Sequence, residues 1–153
     1  MKFPTAISRL AGLFILLCVS FNSYADDLIM MRVKQSFPET MTSLQIAIKK
    51  AGYTISRVQR VDIGLTKSGF KTDKYRVVFF GKAEEVETLL NQYPDLAAFL
   101  PLKISIFAEN NDTILVSNNP IILQRYFKQI PEHYFTRWEK DVQKIFSLAS
   151  IED

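Results

Sequence analysis

The stretch from Tyr75 to Asn110 constrains the fold of this chain most strongly, because two apolar strand patterns flank one helical pattern there. The first strand pattern ends at Gly81, whose lack of a side chain lets the backbone turn. Apolar residues fall on both of its faces, which is typical of a strand that is interior to a sheet and covered on both sides. One face carries Tyr75, Val77 and Phe79, and the other carries Val78 and Phe80.

A helix is predicted directly after this strand. Three acidic residues, Glu84, Glu85 and Glu87, occupy its first turns, where the helix dipole favours anions, and we interpret them as a solvated helix start. Apolar residues then recur at helical spacing until Pro94 ends the pattern. Beyond Pro101, apolar and less apolar residues alternate to Ala108, which predicts a strand with one buried face.

The segments before this stretch predict a strand, a helix and a second strand. Residues 28–34 alternate as a strand does, and Ser36 with Glu39 has capping-box spacing for a helix that ends at Gly52. The second strand pattern, residues 53–62, is irregular, and a bulge near Arg57 would restore its buried face. Residues 63–73 predict a turn or a short helical element.

The segments after this stretch predict one strand and two helices. An Asn110–Asn111 turn leads into a strand over residues 112–117. Asn119 and Pro120 then begin a helix, Pro131 ends it, and a last helix continues to about Leu148. The order β-α-β-β-α-β-β plus C-terminal helices predicts a two-layer α+β domain, with helices on one face of a mainly antiparallel sheet.

The first 25 residues have the pattern of a secretory signal peptide. Lys2 and Arg9 precede a twelve-residue apolar run, and Ser23 and Ala25 are the small residues of a cleavage site. A membrane anchor would need about 20 apolar residues, and a lipoprotein would need a small residue in place of Leu17. We therefore expect cleavage after Ala25, a periplasmic location and no membrane span in the mature chain. The predicted units are residues 1–25, 26–123 and a C-terminal helical extension, 124–153, packed on the domain.

Little conventional catalytic chemistry is available to the chain. Its single cysteine, Cys18, lies in the signal peptide, and its single histidine is His133. We expect no metal site and no cofactor, since zinc and copper sites need several such ligands. The sequence also lacks a G-x-S-x-G nucleophile elbow, a dinucleotide-binding G-x-G-x-x-G and a phosphate-binding P-loop.

Charge is unevenly distributed along the chain. From Arg32 to Lys82 there are eleven basic and three acidic residues, whereas from Ala83 to Asp153 there are six basic and eleven acidic ones. A basic group in the first half is the candidate for ligand binding, as an anion site; the alternative is a solvated face without a ligand. Its anion would be a phosphate ester, an acidic lipid headgroup or an acidic partner. Export argues against nucleic acid. The candidate residues are Arg57, Arg60, Lys67, Lys71 and Lys74, together with Asp62.

The C-terminal segment is rich in aromatic residues. They would cover the core of the domain, line an apolar cleft, or dock on a partner or a membrane surface. The residues are Tyr126, Phe127, Tyr134, Phe135 and Trp138.

Several motifs together resemble the domain of unknown function 302 family over about residues 29–123. They are AIKKAGY at 47–53, RVDIGLTKSGF at 60–70, FFG after the first central strand, YP after the helix, LPLKISIFAE, and NP at 119–120. The resemblance implies a TATA-binding-protein-like topology in a single copy, often as a homodimer, and implies no established activity. Many members carry a histidine after the second strand, where this chain has Asp62.

Two functions fit these observations. The first is a non-enzymatic, exported accessory domain that binds a small anionic or apolar ligand, or a protein, through an apolar cleft or a dimer interface. The alternative is an enzyme in which Asp62, His133 and Arg60 converge. The two differ in geometry, because the enzyme requires those three side chains to meet in one pocket.

Overall fold

The computed structural model describes residues 27–151, so the predicted signal peptide lies outside the described residues. Within these residues there are four α-helices and five strands, with two short 3-10 helices, Pro94–Ala98 and Pro120–Arg125. In chain order the strands and helices are β1 (Leu28–Val33), α1 (Phe37–Lys50), β2 (Thr54–Arg60), α2 (Val61–Lys67), β3 (Tyr75–Gly81), α3 (Ala83–Gln92), β4 (Leu102–Glu109), β5 (Asp112–Asn118) and α4 (Glu132–Ala149).

The five strands form one antiparallel sheet in the order β1-β5-β4-β3-β2. The stretch from Tyr75 to Asn110 supplies β3 and β4, two interior strands, with α3 between them. β5 follows β4 through the Asn110–Asn111 turn, in which Asn110 adopts a positive φ of 55°. The predicted two-layer α+β architecture is therefore confirmed.

The two faces of the sheet are different. The side chains of one face enter the main hydrophobic core with the helices, and they include Val33, Val78, Phe80, Leu102, Ile104, Ile106 and Leu115. The other face, which we call the open face, contributes none of its side chains to this core. Its apolar residues include Met30, Tyr75, Val77, Phe79, Phe107, Ile114 and Val116. β3 is interior as predicted, but the prediction that both of its faces are covered is wrong, because the described helices pack on one face only.

Helices α1 and α4 provide most of the helical side of the core. The stripe predicted for the last helix is confirmed, and its side chains are all buried: Phe135, Trp138, Val142, Ile145 and Phe146. Leu44, Ala47 and Ile48 of α1 are buried in the same cluster. α4 therefore shares one core with the sheet.

Two local predictions are confirmed by backbone geometry. The Ser36 amide donates a hydrogen bond to Glu39 at 3.1 Å, which completes a capping box at the start of α1. The register of β2 against β3 shifts between Ile55 and Arg57, which is the expected bulge.

Two segments differ from prediction. β2 ends at Arg60, two residues before its predicted end, so Asp62 follows the strand but already lies in the first turn of α2. The helix predicted from Asn119 is a 3-10 helix of six residues, and Tyr126 beyond it is 73% exposed. A full α-helix there would lack a continuous buried stripe, since Pro120 is the only residue of that 3-10 helix that is buried.

Candidate functional site

An apolar cleft lies where β4 begins and β5 ends, between the two 3-10 helices. Its volume is about 570 Å³, within the range of small-molecule sites. One wall carries Ala98 and Phe99, and the other carries Ile122, Leu123 and Tyr126. The cleft therefore combines chain segments that are far apart in the sequence.

Prolines and one asparagine shape the walls of this cleft. Pro94 and Pro120 occupy the first positions of the two 3-10 helices, where their missing N–H costs no hydrogen bond. Asn119 accepts a hydrogen bond from the Ile121 amide at 3.2 Å and donates one to Glu139 at 2.8 Å. This side chain therefore fastens the second wall to α4.

Aromatic packing supports the first wall. The rings of Phe99 and Phe127 meet edge to face, with their centroids 5.5 Å apart. Phe127 is buried in the core, whereas Phe99 is 40% exposed and lines the cleft. The C-terminal aromatic residues thus serve two of the predicted purposes, because Phe127, Phe135 and Trp138 fill the core and Tyr126 lines the cleft.

Two charged residues, Asp27 and Lys103, are among those that line the cleft. Ser117 is buried and donates its hydroxyl to the Lys103 carbonyl at 3.0 Å, so it is already satisfied. Lys103 is exposed, and its ammonium group forms no ion pair within residues 27–151. Asp27 precedes β1, and because β1 is two strands from β4, the spacing of strands puts the two backbone segments about 10 Å apart. The rim therefore offers an anion a partner at Lys103.

The basic group predicted from the sequence is only partly assembled. Lys67 and Lys74 line a shallow cavity of about 410 Å³ with Asp62, Thr66 and Thr72. Arg57 lies elsewhere, because the bulge places it opposite Phe79 on the open face. Lys71 does not line the cavity.

Asp62 is engaged in an ion pair. Arg76 donates a hydrogen bond to its carboxylate, and this bond lowers the pKa of Asp62, with a further contribution from the charge of Arg60. Both side chains of the pair are largely shielded from solvent. Asp62 therefore has a structural partner, and its anionic form is stabilised.

The three residues of the enzyme alternative do not converge. Asp62 contacts Arg76 at the beginning of β3. The rings of His133 and Tyr134 are in contact, with their centroids 4.2 Å apart. Tyr134 lies beside Arg137, and Arg137 pairs with Glu85 beyond the other end of β3. The length of β3 therefore separates His133 from Asp62.

A partly buried polar network, which the sequence did not reveal, links Tyr53, directly before β2, to α3 and α4. Tyr53 donates its hydroxyl to Asp141 at 2.6 Å and accepts a hydrogen bond from Arg137 at 3.3 Å. Arg137 also pairs with Glu85, which accepts the Trp138 indole N–H at 3.0 Å. Burial and the Asp141 hydrogen bond raise the pKa of Tyr53. Glu85 is thus a network residue, and its interpretation as a solvated helix-start acid is wrong.

A comparison with protein families shows which family this chain belongs to. The model of the family described as "Domain of unknown function DUF302" matches residues 29–146. The chain belongs to the DUF302 family. The DUF302 match continues past Leu123, the predicted end of the family resemblance, and includes most of α4.

A solved DUF302 structure has the same fold. The crystal structure of the uncharacterized conserved protein DUF302 from Bacillus stearothermophilus superposes with a TM-score of 0.65. It is 19% identical in sequence, and the match covers 82% of this chain and 97% of the other. No curated protein matches this DUF302 chain.

Neither a membrane-spanning helix nor a group of metal ligands is present in the part of the chain that the structure describes. Within residues 27–151, no helix combines the length and apolarity needed to cross a bilayer. In the same residues, no three His, Cys, Asp or Glu side chains are grouped as they would be around a metal ion.

Proposed function

We propose that this DUF302 protein is a non-enzymatic, exported binding domain that holds a small molecule in the cleft between its two 3-10 helices. The observation that carries the proposal is the cleft itself, whose size and apolar walls suit an apolar body. The single cation at its rim, Lys103, suits an anionic end on the same molecule. The separation of His133 from Asp62 supports binding over catalysis.

Calorimetric titration with three probes tests this site. The probes are dodecanoate, dodecanol and dodecylammonium, which share one chain length and differ in charge. We expect dodecanoate to bind more tightly than dodecanol by about tenfold, because an exposed lysine adds a charge-assisted hydrogen bond. Preferential binding of dodecylammonium would overturn the assignment of Lys103 and point to Asp27.

Two neighbouring alanines give a matched control for the location of the site. Ala98 lines the cleft and Ala97 does not, although both are exposed in the same 3-10 helix. Ala98→Trp fills the cleft and should abolish dodecanoate binding, whereas Ala97→Trp should leave it unchanged. Equal binding by wild type and Ala98→Trp would show that the probe binds elsewhere.

Export is a separate part of the proposal. It rests on the basic, apolar and small-residue segments of residues 1–25. Mass spectrometry of the protein recovered from the periplasmic fraction of a Gram-negative host should show a chain that begins at Asp26. A chain that retains residues 1–25 and stays with the cytoplasm would contradict export.

We further propose a homodimer formed through the open face of the sheet. This face is apolar at its centre. It carries basic residues at one end of the strands and acidic residues at the other end. Arg57 and Lys103 flank Phe79 at one end, while Glu109 and Asp112 lie at the other, where Arg32 pairs with both of them. A twofold axis that runs across the strands would bring the basic end of one copy to the acidic end of its partner.

Sedimentation equilibrium tests the dimer. Val77→Lys places a charge at the centre of the open face and should yield a monomer, whereas Ile46→Lys, on α1, should not change the mass. A monomeric wild type at high concentration would contradict the proposal.

A further inference from the structure

Helix α2 and the loop that follows it form an unusual surface. None of the residues of α2 is buried, although the helix carries apolar side chains. Two large apolar residues in this region are exposed: Ile63 by 36% and Phe70 by 63%. An exposed apolar surface that is rimmed by polar residues is typical of an interaction site.

The position of Phe70 is defined by the backbone. Gly69 adopts a positive φ of 87°, and its amide donates to the Thr66 carbonyl at 3.0 Å. The Phe70 amide donates to the Leu65 carbonyl, also at 3.0 Å. These two hydrogen bonds form a Schellman motif, which ends α2 and projects the Phe70 ring outward in a defined place.

Basic residues lie close to Phe70 in the chain, with Lys67 three positions before it and Lys71 directly after it. Arg60, Lys67 and Lys71 form no ion pair within the described chain, and Lys74 lies over the face of the Phe37 ring at 5.9 Å. The neighbouring acids are Asp62, which Arg76 neutralises, and Asp73. The region therefore carries a net positive charge around an exposed aromatic side chain.

We propose that this surface, made of α2 and residues 68–74, docks on a bilayer that contains anionic phospholipids. Phe70 and Ile63 would enter the boundary between headgroups and acyl chains, where amphipathic segments bury their apolar side. Arg60, Lys67 and Lys71 would contact lipid phosphates, because basic groups next to a membrane are attracted to its negative surface. An acidic protein would explain the cations but leave the exposed Phe70 and Ile63 without a function, so the bilayer fits both observations.

Co-sedimentation with vesicles tests this docking. The mature protein is mixed with phosphatidylcholine vesicles that contain or lack phosphatidylglycerol, at low and at high salt. We expect the protein to bind vesicles that contain phosphatidylglycerol at least about tenfold more tightly than vesicles that lack it. Binding to the anionic vesicles should weaken at high salt, because salt screens the charges. Equal binding to both vesicle types, or none to either, would overturn the proposal.

Matched variants separate the two parts of the contact. Phe70→Ser should weaken binding to anionic vesicles by about five- to tenfold through lost apolar burial, whereas Ile46→Ser, at another exposed apolar position, should not. Lys67→Glu with Lys71→Glu should weaken it more strongly than Lys140→Glu with Lys144→Glu, which changes the net charge equally on α4. If the two charge-reversed pairs behave alike, net charge alone explains the binding and the proposed surface is wrong.

Two further probes distinguish the sources of the negative charge. Inorganic phosphate at millimolar concentration should not displace the protein from vesicles, because a free phosphate offers nothing to Phe70. Binding to soluble polyglutamate that is insensitive to Phe70→Ser, without vesicle binding, would identify an acidic polypeptide as the partner and overturn the lipid assignment. Neither result depends on ligand binding in the cleft.

Discussion

The two ends of β3 are stabilised by different means. Beyond its last residue, Tyr53, Glu85, Arg137 and Asp141 link three elements through hydrogen bonds next to the buried indole of Trp138. At its first residues, one ion pair between Asp62 and Arg76 holds a helix that buries none of its side chains. The difference teaches that the fold depends on the packing beyond the last residue of β3. The end at the first residues of β3 is therefore free to carry exposed apolar and basic groups.

Truncation of a large side chain at each end should give the largest contrast. Trp138→Ala should lower the free energy of unfolding by about 3–5 kcal/mol, because it opens a cavity in the core and removes the donor to Glu85. Ile63→Ala on α2 should change it by less than about 0.5 kcal/mol. Denaturant titration measures both values, and an equally costly Ile63→Ala would end the distinction between the two regions.

Loss of one hydroxyl should test the polar network. Tyr53→Phe should cost about 1–3 kcal/mol, because Asp141 loses its shortest hydrogen bond while Arg137 remains 3.6 Å away. Tyr75→Phe, on the open face, is the matched control and should cost little. A Tyr53→Phe protein as stable as the wild type would show that the network adds no net stability.

Acidification should weaken the ion pair between Asp62 and Arg76 at the first residues of β3. The folded state lowers the pKa of Asp62 below its ordinary value of 3.8, so the ion pair stabilises the fold above that value. This contribution disappears as the pH falls through the folded-state pKa. Asp62→Asn should therefore cost about 1–2 kcal/mol at neutral pH.

Between pH 5 and pH 3, the Asp62→Asn protein should lose less stability than the wild type, which still has the carboxylate to protonate. Thermal unfolding at a series of pH values measures both slopes. Parallel pH profiles for the two proteins would mean that Asp62 does not contribute to acid sensitivity.

Two glycines should give the smallest effects, of opposite sign. Gly69→Ala should lower the free energy of unfolding by about 1 kcal/mol, because alanine disfavours the positive φ of this position. Steric overlap adds nothing to this cost, because an added methyl group meets no atom within 4 Å. Gly64→Ala, inside α2 and equally unobstructed, should stabilise the protein by about 0.5–1 kcal/mol. If Gly69→Ala were neutral, the Schellman motif would not be what positions Phe70.

The sequence by itself determined the local structure of this protein. Alternation in residues 28–34 and 102–108 identified the buried faces of β1 and β4, and the stripe from Phe135 to Phe146 identified the inner face of α4. The capping box at Ser36 and the bulge near Arg57 were also readable. All of these depend on residues within one or two turns of each other, so periodicity and spacing are enough to reveal them.

Only the tertiary structure decided which distant residues meet. The cleft joins Leu28 to Leu123 because β1 pairs with β5, a pairing that local periodicity does not encode. Tyr53 reaches Asp141, 88 positions away, because α4 packs against α1 next to the beginning of β2. Arg57 and Lys67, which are ten positions apart in the sequence, separate for the same reason, since strand register sends Arg57 to the open face while Lys67 lines a cavity with Asp62.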